Sequence, residues 1–471
     1  MNISKRCKTS CLALVTLFLV QQVSADWPRF RGPNGTGVAS DGQAPPVKWS
    51  DTENVKWKVP LPGPGSSGPI VSGDKVFITY WSGYGLAPEN PGRMEELKVH
   101  LRCVDRATGK TLWDRAVAAK LPEQEYGGMF AQHGYASHTP VTDGKRVYAF
   151  FGKTGVYAFD FEGKELWKAD VGSDLDERGW GSASSPVLSD SGLVVLASIE
   201  NHALVTLDKE TGKELWKQEA EGFGGTWGTP AVVGSGEDQE VVVGVPNEIW
   251  ALNARTGKLR WYSKGITGNS MTSSVVPVGS EIFAAGDRGG GTIAVKSGGK
   301  GDVSESHIVW SGRHGGNITS PLVHDDRFYF VKSGIVHCRD AKTGNEIYSE
   351  RIPGATAGGR GRGVEGGQTG RPGGDYNPGQ RGGGRPGGRP GGRRGGGGFG
   401  NIDYASPVAA GDYLFQLTRT GKTIVVRLGD EFELVAENAF AEDTSNFSGT
   451  PAITGGQMFI RSYKNLYCIA E

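Results

Sequence analysis

The side chains able to do chemistry in this 471-residue chain include eight histidines, five cysteines and 51 carboxylates, and their spacing argues for recognition rather than catalysis. His133, His138, His202 and His314 are spread over different repeats, without the short ligand spacing that gathers imidazoles on one metal ion. Asp174, Asp176 and Glu177 have the oxygen density that calcium takes, but read more simply as a solvated loop. There is no His-Glu-x-x-His, no Cys-x-x-Cys, no Gly-x-Ser-x-Gly elbow and no correctly spaced Gly-Lys-Ser/Thr phosphate loop. Gly63-Pro-Gly65-Ser-Ser-Gly68 matches a dinucleotide fingerprint by letters, yet it leads into a strand rather than a helix whose N-terminus could hold a phosphate. The recognition set that remains is His133, His138, Arg178, Trp180, His202, Trp227, Asn269, His314, Asn317, Tyr404 and Phe447. Aromatic and arginine side chains offer a protein or polysaccharide a large contact area at modest entropy loss. Trp180, Trp227 and Phe447 are equally suited to plugging a channel and packing neighbouring elements.

The elements that position these residues recur. A small residue or Ser/Thr followed by Pro opens successive units at Gly68, Thr139, Ser185, Thr229, Ser320, Ser406 and Thr450, and Ser274-Val275 fills the one gap. Each start leads into three apolar runs. The third ends in a turn such as Asp105-Arg-Ala-Thr-Gly-Lys-Thr-Leu-Trp113 or Asp208-Lys-Glu-Thr-Gly-Lys-Glu-Leu-Trp216, followed by a fourth run. Asp caps its own backbone, Gly takes the left-handed position of the hairpin, and the aromatic falls on the outermost strand. Four strands in each of eight units, about 50 residues apiece, predict an all-β fold, an eight-bladed β-propeller of antiparallel blades. The last unit stops after its third strand, and Asn54 to Pro60 supplies the fourth, closing the ring and removing two sheet edges. Unit five lacks the turn signature and unit seven lacks the aromatic. Long insertions at 82–97, 118–136 and 354–400 all fall on one face, which marks that face as the binding side.

The Asp-x-x-Thr-Gly-Lys-x-x-Trp turn resembles the repeat of pyrroloquinoline-quinone (PQQ) quinoprotein propellers and of the PQQ-like propeller of the outer-membrane protein assembly lipoprotein. The opening Trp27-Pro-Arg-Phe-Arg-Gly-Pro-Asn-Gly-Thr-Gly37 is similar to that of exported bacterial PQQ-like repeat proteins. The resemblance implies the fold and leaves the activity open, since a fold does not carry its site with it. Quinoprotein dehydrogenases of this resemblance hold PQQ against a ring of adjacent cysteines with a calcium ion beside it, and this chain has no Cys-Cys pair. Neither cofactor is therefore expected, nor a catalytic or metal-binding set. Cys103, Cys338 and Cys468 occupy one repeated place in their third strands. Equivalent places on adjacent blades are about 10 Å apart, too far for a disulfide, so three buried free thiols are expected.

Residues 1–25 carry Lys5, Arg6 and Lys8, an apolar run from Leu12 to Val20, and Val23-Ser24-Ala25, the pattern of an export signal cleaved near Ala25. The mature chain then has an extension at 26–53 and the propeller at 54–471, located in the periplasm or outside the cell, with no membrane span. Residues 354–400 hold 23 glycines and eight arginines, cannot bury a core and read as disordered. Set aside, they leave an acidic body. The expected function is a monomeric, non-catalytic exported scaffold that binds protein or polysaccharide at the cell envelope and no nucleic acid. The alternative is a divergent PQQ- or metal-dependent oxidoreductase.

Overall fold

A computed structural model describes residues 26–40, 42–87, 89–287, 290–313, 315–316, 318–353 and 403–471. The expected export signal and the Gly/Arg-rich insertion lie outside the described residues.

Eight antiparallel sheets follow one another along the chain as blades 1 to 8, spanning 70–118, 141–169, 187–219, 231–264, 276–312, 322–351, 408–438 and 452–469. The ring closes as the sequence predicts: Val55–Pro60 pairs antiparallel with Asn465–Ile469 and forms the outer strand of blade 8. Inner strands are packed on both faces and read as continuous apolar runs, as in Leu193–Ala197, which is buried throughout. Outer strands expose most of their residues, as in Glu214–Glu219, where Trp216 alone is buried. This gradient explains why the aromatic of the outer strand recurs, since it is the last large apolar side chain available to seal a blade to its neighbour.

The repeated turn and the repeated aromatic form one device shared between blades. Asp105 Oδ1 accepts hydrogen bonds from the backbone N–H and the hydroxyl of Thr108, at 2.8 and 2.6 Å, and Asp208, Asn253 and Asp340 repeat this in their own turns. The turn glycine then lies flat on the tryptophan of the preceding blade. A Cβ at Gly212 would fall 2.5 Å from the Trp167 ring, and Gly109, Gly163, Gly257 and Gly344 meet Trp57, Trp113, Trp216 and Trp310 in the same way. Each of these indoles donates its Nε1–H to a backbone carbonyl of the following blade's turn, from 2.6 to 3.0 Å away. A left-handed glycine is therefore required twice over, by its own backbone and by its neighbour's ring.

The two irregular units are repaired differently. Blade 5 has lost the turn, so Trp261 has no glycine to cover it. The blade 5 connection instead folds back, and Gly301–Asp302 adds a fifth, parallel strand to blade 4 directly beside Trp261, whose indole donates to Glu240. Blade 7 carries Ala436 where the aromatic belongs, opposite Val425. Trp49 of the N-terminal extension fills that place: it is 4% exposed, packs 6.4 Å from Phe415, and takes the Asn438 side-chain oxygen on its backbone N–H. Cys103, Cys338 and Cys468 are buried and unbridged, each paired across strands with an outer aromatic, Trp113, Tyr348 or Trp57. Burial pushes all three thiols up to about 12, which makes them packing residues rather than nucleophiles. Among the described residues, no helix is long and apolar enough to cross a membrane.

Candidate functional site

The eight unit starts line the axis of the ring, and their hydroxyls have a structural task. The N–H of Gly68 donates to Thr139 Oγ1 at 2.9 Å, that of Thr139 to Ser185 Oγ at 2.9 Å, and that of Ser185 to Thr229 Oγ1 at 3.1 Å. Thr229, Ser274, Ser320 and Ser406 continue to Ser274, Ser320, Ser406 and Thr450 at 2.8 to 3.0 Å. Seven hydroxyls thus satisfy seven buried amides in a collar. At the eighth step Gly68 has no hydroxyl, and the backbone closes up until a Cβ there would be 2.7 Å from the Thr450 carbonyl.

This collar walls a cavity of about 160 Å³. Its floor is Phe30, carried by the N-terminal extension, which crosses beneath the ring from Trp27, bridged to Val71 of blade 1, to Val38, bridged to Ala409 of blade 7. Its roof is the 118–136 insertion, which brings Met129 and His133 over the mouth. Gln132 in that roof offers its carbonyl to Arg419 and to Tyr463 from the far side, at 3.0 Å each. Trp180, Trp227 and Tyr404 complete the lining.

The recognition set divides once placed. His133 is buried: Nε2 lies 2.6 Å from the Trp180 carbonyl, which can only accept, so Nε2 carries the proton and Nδ1 accepts from Ser137 at 2.7 Å. Burial lowers its pKa to about 4 and that of His138 to about 3, so both are neutral spacers at physiological pH. His138 faces a separate small cleft between blades 2 and 3. There its Nε2 meets Ser182 at 2.9 Å and Ser182 donates to Glu200, whose carboxyl is pushed up to about 7 by burial. The serine, not the imidazole, is central, so this is not the arrangement that activates a nucleophile. Phe447, which the sequence left between recognition and packing, packs: it is fully buried in the blade 7–8 seam, stacked 6.0 Å from Phe440 and 6.4 Å from Tyr467. Its apolar ring is worth more there than in water. His202 and Asn269 are exposed on the surface, and His314 and Asn317 lie outside the described residues.

Arg178, Trp180 and Trp227 come together. Asp176 accepts from the backbone N–H groups of Arg178, Trp180 and Gly181 at 3.0, 2.8 and 3.1 Å, fixing the loop. Trp227 is 7% exposed and anchored by its indole N–H on the Gly181 carbonyl at 2.6 Å. Trp180 is half-buried, its ring 5.1 Å from that of Trp227. The exposed Arg178 guanidinium lies 5.9 and 5.5 Å from the two rings. The result is a rigid aromatic step with a cation over it. Phe30 and Met129 are channel residues that no sequence signal singled out, because their role comes from chain segments crossing the ring.

Among the described residues, the one carboxylate lining the channel, Asp287, accepts from Ser270 at 2.8 Å and from the Thr272 hydroxyl at 2.6 Å. Among the described residues no three His, Cys, Asp or Glu side chains are grouped to hold a metal, and Cys103, Cys338 and Cys468 are buried in the apolar core.

Comparisons with known proteins agree with the eight-bladed fold. The family model described as outer membrane protein assembly factor BamB matches residues 98–350. An outer membrane protein assembly factor BamB from Burkholderia pseudomallei is 27% identical over 179 residues. Those residues make up 37% of this chain and 42% of that protein, so the match spans under half the relative's length. Among solved structures, BamB from Moraxella catarrhalis superposes with a TM-score of 0.57 at 10% identity, covering 88% of this chain and 97% of that one. A europium-containing methanol dehydrogenase gives 0.61 at 11%, covering 95% and 98%. The quinohemoprotein alcohol dehydrogenase from Comamonas testosteroni gives 0.60 at 11%, covering 94% and 80%. At such identities the structures share the fold alone.

Proposed function

The chain belongs to the family of outer membrane protein assembly factor BamB, and from that premise we propose that it is an envelope scaffold whose insertion-bearing face docks a protein partner engaged in outer-membrane assembly. The observation that carries the reading is the Arg178, Trp180 and Trp227 step. Interface anchors are typically Trp, Tyr and Arg held rigid before binding, because little entropy is then lost on association. Here Asp176 fixes the loop, Trp227 packs against Trp180, and the exposed Arg178 lies over both rings with its Nη1 on the Asn269 carbonyl at 3.5 Å. The expected export signal and the family both fit a location in the envelope, and the reading needs no cofactor. A photo-crosslinking residue placed at Trp180 in cells should capture a discrete envelope protein. The same residue at Leu215, on the outer strand of blade 3, should not. Equal patterns from both positions would remove the site assignment.

A further inference from the structure

Blade 1 carries a second constellation, away from the channel, that no linear motif announces. Tyr80 and Ser82 lie on one face of the second strand, Lys75–Ser82. Tyr80 is registered opposite His100 of the third strand, and Arg102 opposite Asp114 of the fourth. Side chains two apart share a face and diagonal neighbours on adjacent strands can touch. The three strands therefore set Ser82, His100 and Asp114 on one diagonal.

The contacts along that diagonal have a defined polarity. His100 Nδ1 is 3.1 Å from Asp114 Oδ1, and His100 Nε2 is 2.8 Å from Ser82 Oγ. An ionised carboxylate only accepts, so the imidazole proton sits on Nδ1, leaving the Nε2 lone pair to accept from the Ser82 hydroxyl. Asp114 stays ionised: burial alone would raise its pKa, but hydrogen bonds from His100, Tyr80 and Arg102 outweigh that and hold it below the usual range. Tyr80 Oη and Arg102 Nε occupy Asp114 Oδ2 at 2.6 and 2.7 Å, so Oδ1 is left to the imidazole. Tyr80 also stacks on the His100 ring, centroids 4.2 Å apart and planes 13° apart, which fixes its tilt. The His100 and Asp114 side chains are 12% and 24% exposed and Ser82 is half-buried, at the strand end where the 82–97 insertion begins.

We propose that Ser82 is an acyl-accepting nucleophile with His100 as its general base and Asp114 as the residue that positions the imidazole, acting on small activated esters. The Ser82 oxygen forms the bond to the ester carbonyl carbon while its proton passes to His100 Nε2. The carbon–oxygen bond to the leaving alcohol breaks as that proton is delivered to it. Water, deprotonated by the same nitrogen, then releases the acid and regenerates the serine. The chemistry needs no metal, oxidant or cofactor, and stands independently of the docking role.

The test is covalent labelling of the full chain with a fluorophosphonate, read by intact mass and peptide mapping, beside release of nitrophenol from p-nitrophenyl acetate. One adduct at Ser82 is expected, with a nitrophenol burst that Ser82→Ala abolishes. His100→Ala should slow labelling by about 10²-fold or more, the usual share of a general base. Asp114→Asn should slow it comparably by favouring the wrong tautomer. Thermal melts of Ser82→Ala and wild type should coincide, showing that the lost adduct is not lost folding. A folded wild-type chain that takes no label, or takes it on another residue, overturns the proposal, as does a labelling rate unchanged in a folded His100→Ala variant.

Discussion

If each turn glycine is dictated by the tryptophan of the preceding blade, two glycines with the same backbone should respond differently to the same substitution. Gly212 (φ +71) and Gly144 (φ +82) are both left-handed turn residues. A Cβ at Gly144 would meet nothing within 4 Å, whereas one at Gly212 would lie 2.5 and 2.7 Å from two atoms of the Trp167 ring. Gly144→Ala therefore costs only the left-handed penalty, about 1–2 kcal/mol. Gly212→Ala costs the same plus overpacking against a rigid ring, about 1–3 kcal/mol more. The Trp167 Nε1 bond to the Lys209 carbonyl is also pushed open. Urea unfolding followed by tryptophan fluorescence measures the pair, and taking the difference between the two variants cancels departures from two-state behaviour common to both. Gly212→Ala should lose the larger share of the midpoint, and Trp167→Leu in the Gly212→Ala background should recover part of it. Equal losses for the two alanine variants would refute the idea that the indole, rather than the backbone alone, selects glycine.

Other outcomes follow from the same structure. Trp49→Ala should cost about 3–5 kcal/mol, as for a core indole, because it empties the blade 7 place that Ala436 cannot fill; denaturant midpoints measure it. Ser185→Ala leaves the buried Thr139 amide without its acceptor and should cost about 1–3 kcal/mol, whereas Trp180→Ala should leave the melting temperature almost unchanged while weakening partner capture. Glu200 has a folded-state pKa raised by burial to about 7, so the folded chain holds that proton where the unfolded chain has released it. The protonated form contributes stability in acid that is lost as pH rises from about 4.5 through 7, about 3 kcal/mol in all. His133 and His138, depressed by burial, act in the opposite sense, their contribution being present above the ordinary histidine value and lost as pH falls toward 4 and 3. Stability of Glu200→Gln relative to wild type should therefore rise between pH 5 and 8, measured by chemical denaturation at each pH; a flat difference would contradict the burial argument.

The ring was legible because each blade restates the same problem. Ser/Thr-Pro starts, apolar runs and the Asp-to-Trp turn recur, so eight blades and closure by Asn54 to Pro60 follow from counting. What the hydroxyls of those starts do was not legible, since an amide finding the next blade's hydroxyl is a relation between residues about 45 apart. The two irregular units were visible as departures, but their repairs were not: Trp49 reaches blade 7 from nearly 400 residues away in sequence, and Gly301–Asp302 crosses to blade 4. Phe447 suits recognition and packing equally by residue type, and only the path of its loop into the blade 7–8 seam decides for packing. Ser82, His100 and Asp114 escaped motif reading altogether, because their spacing is set by strand register rather than by a local turn.

The docking claim is tested most directly by quantitative photo-crosslinking at position 180 in the native envelope, with and without Arg178→Glu. A single envelope-protein adduct at Trp180 that falls sharply in the Arg178→Glu chain, while the melting temperature holds, is the expected result. An adduct of the same identity and yield from Leu215, or one indifferent to Arg178, would contradict it.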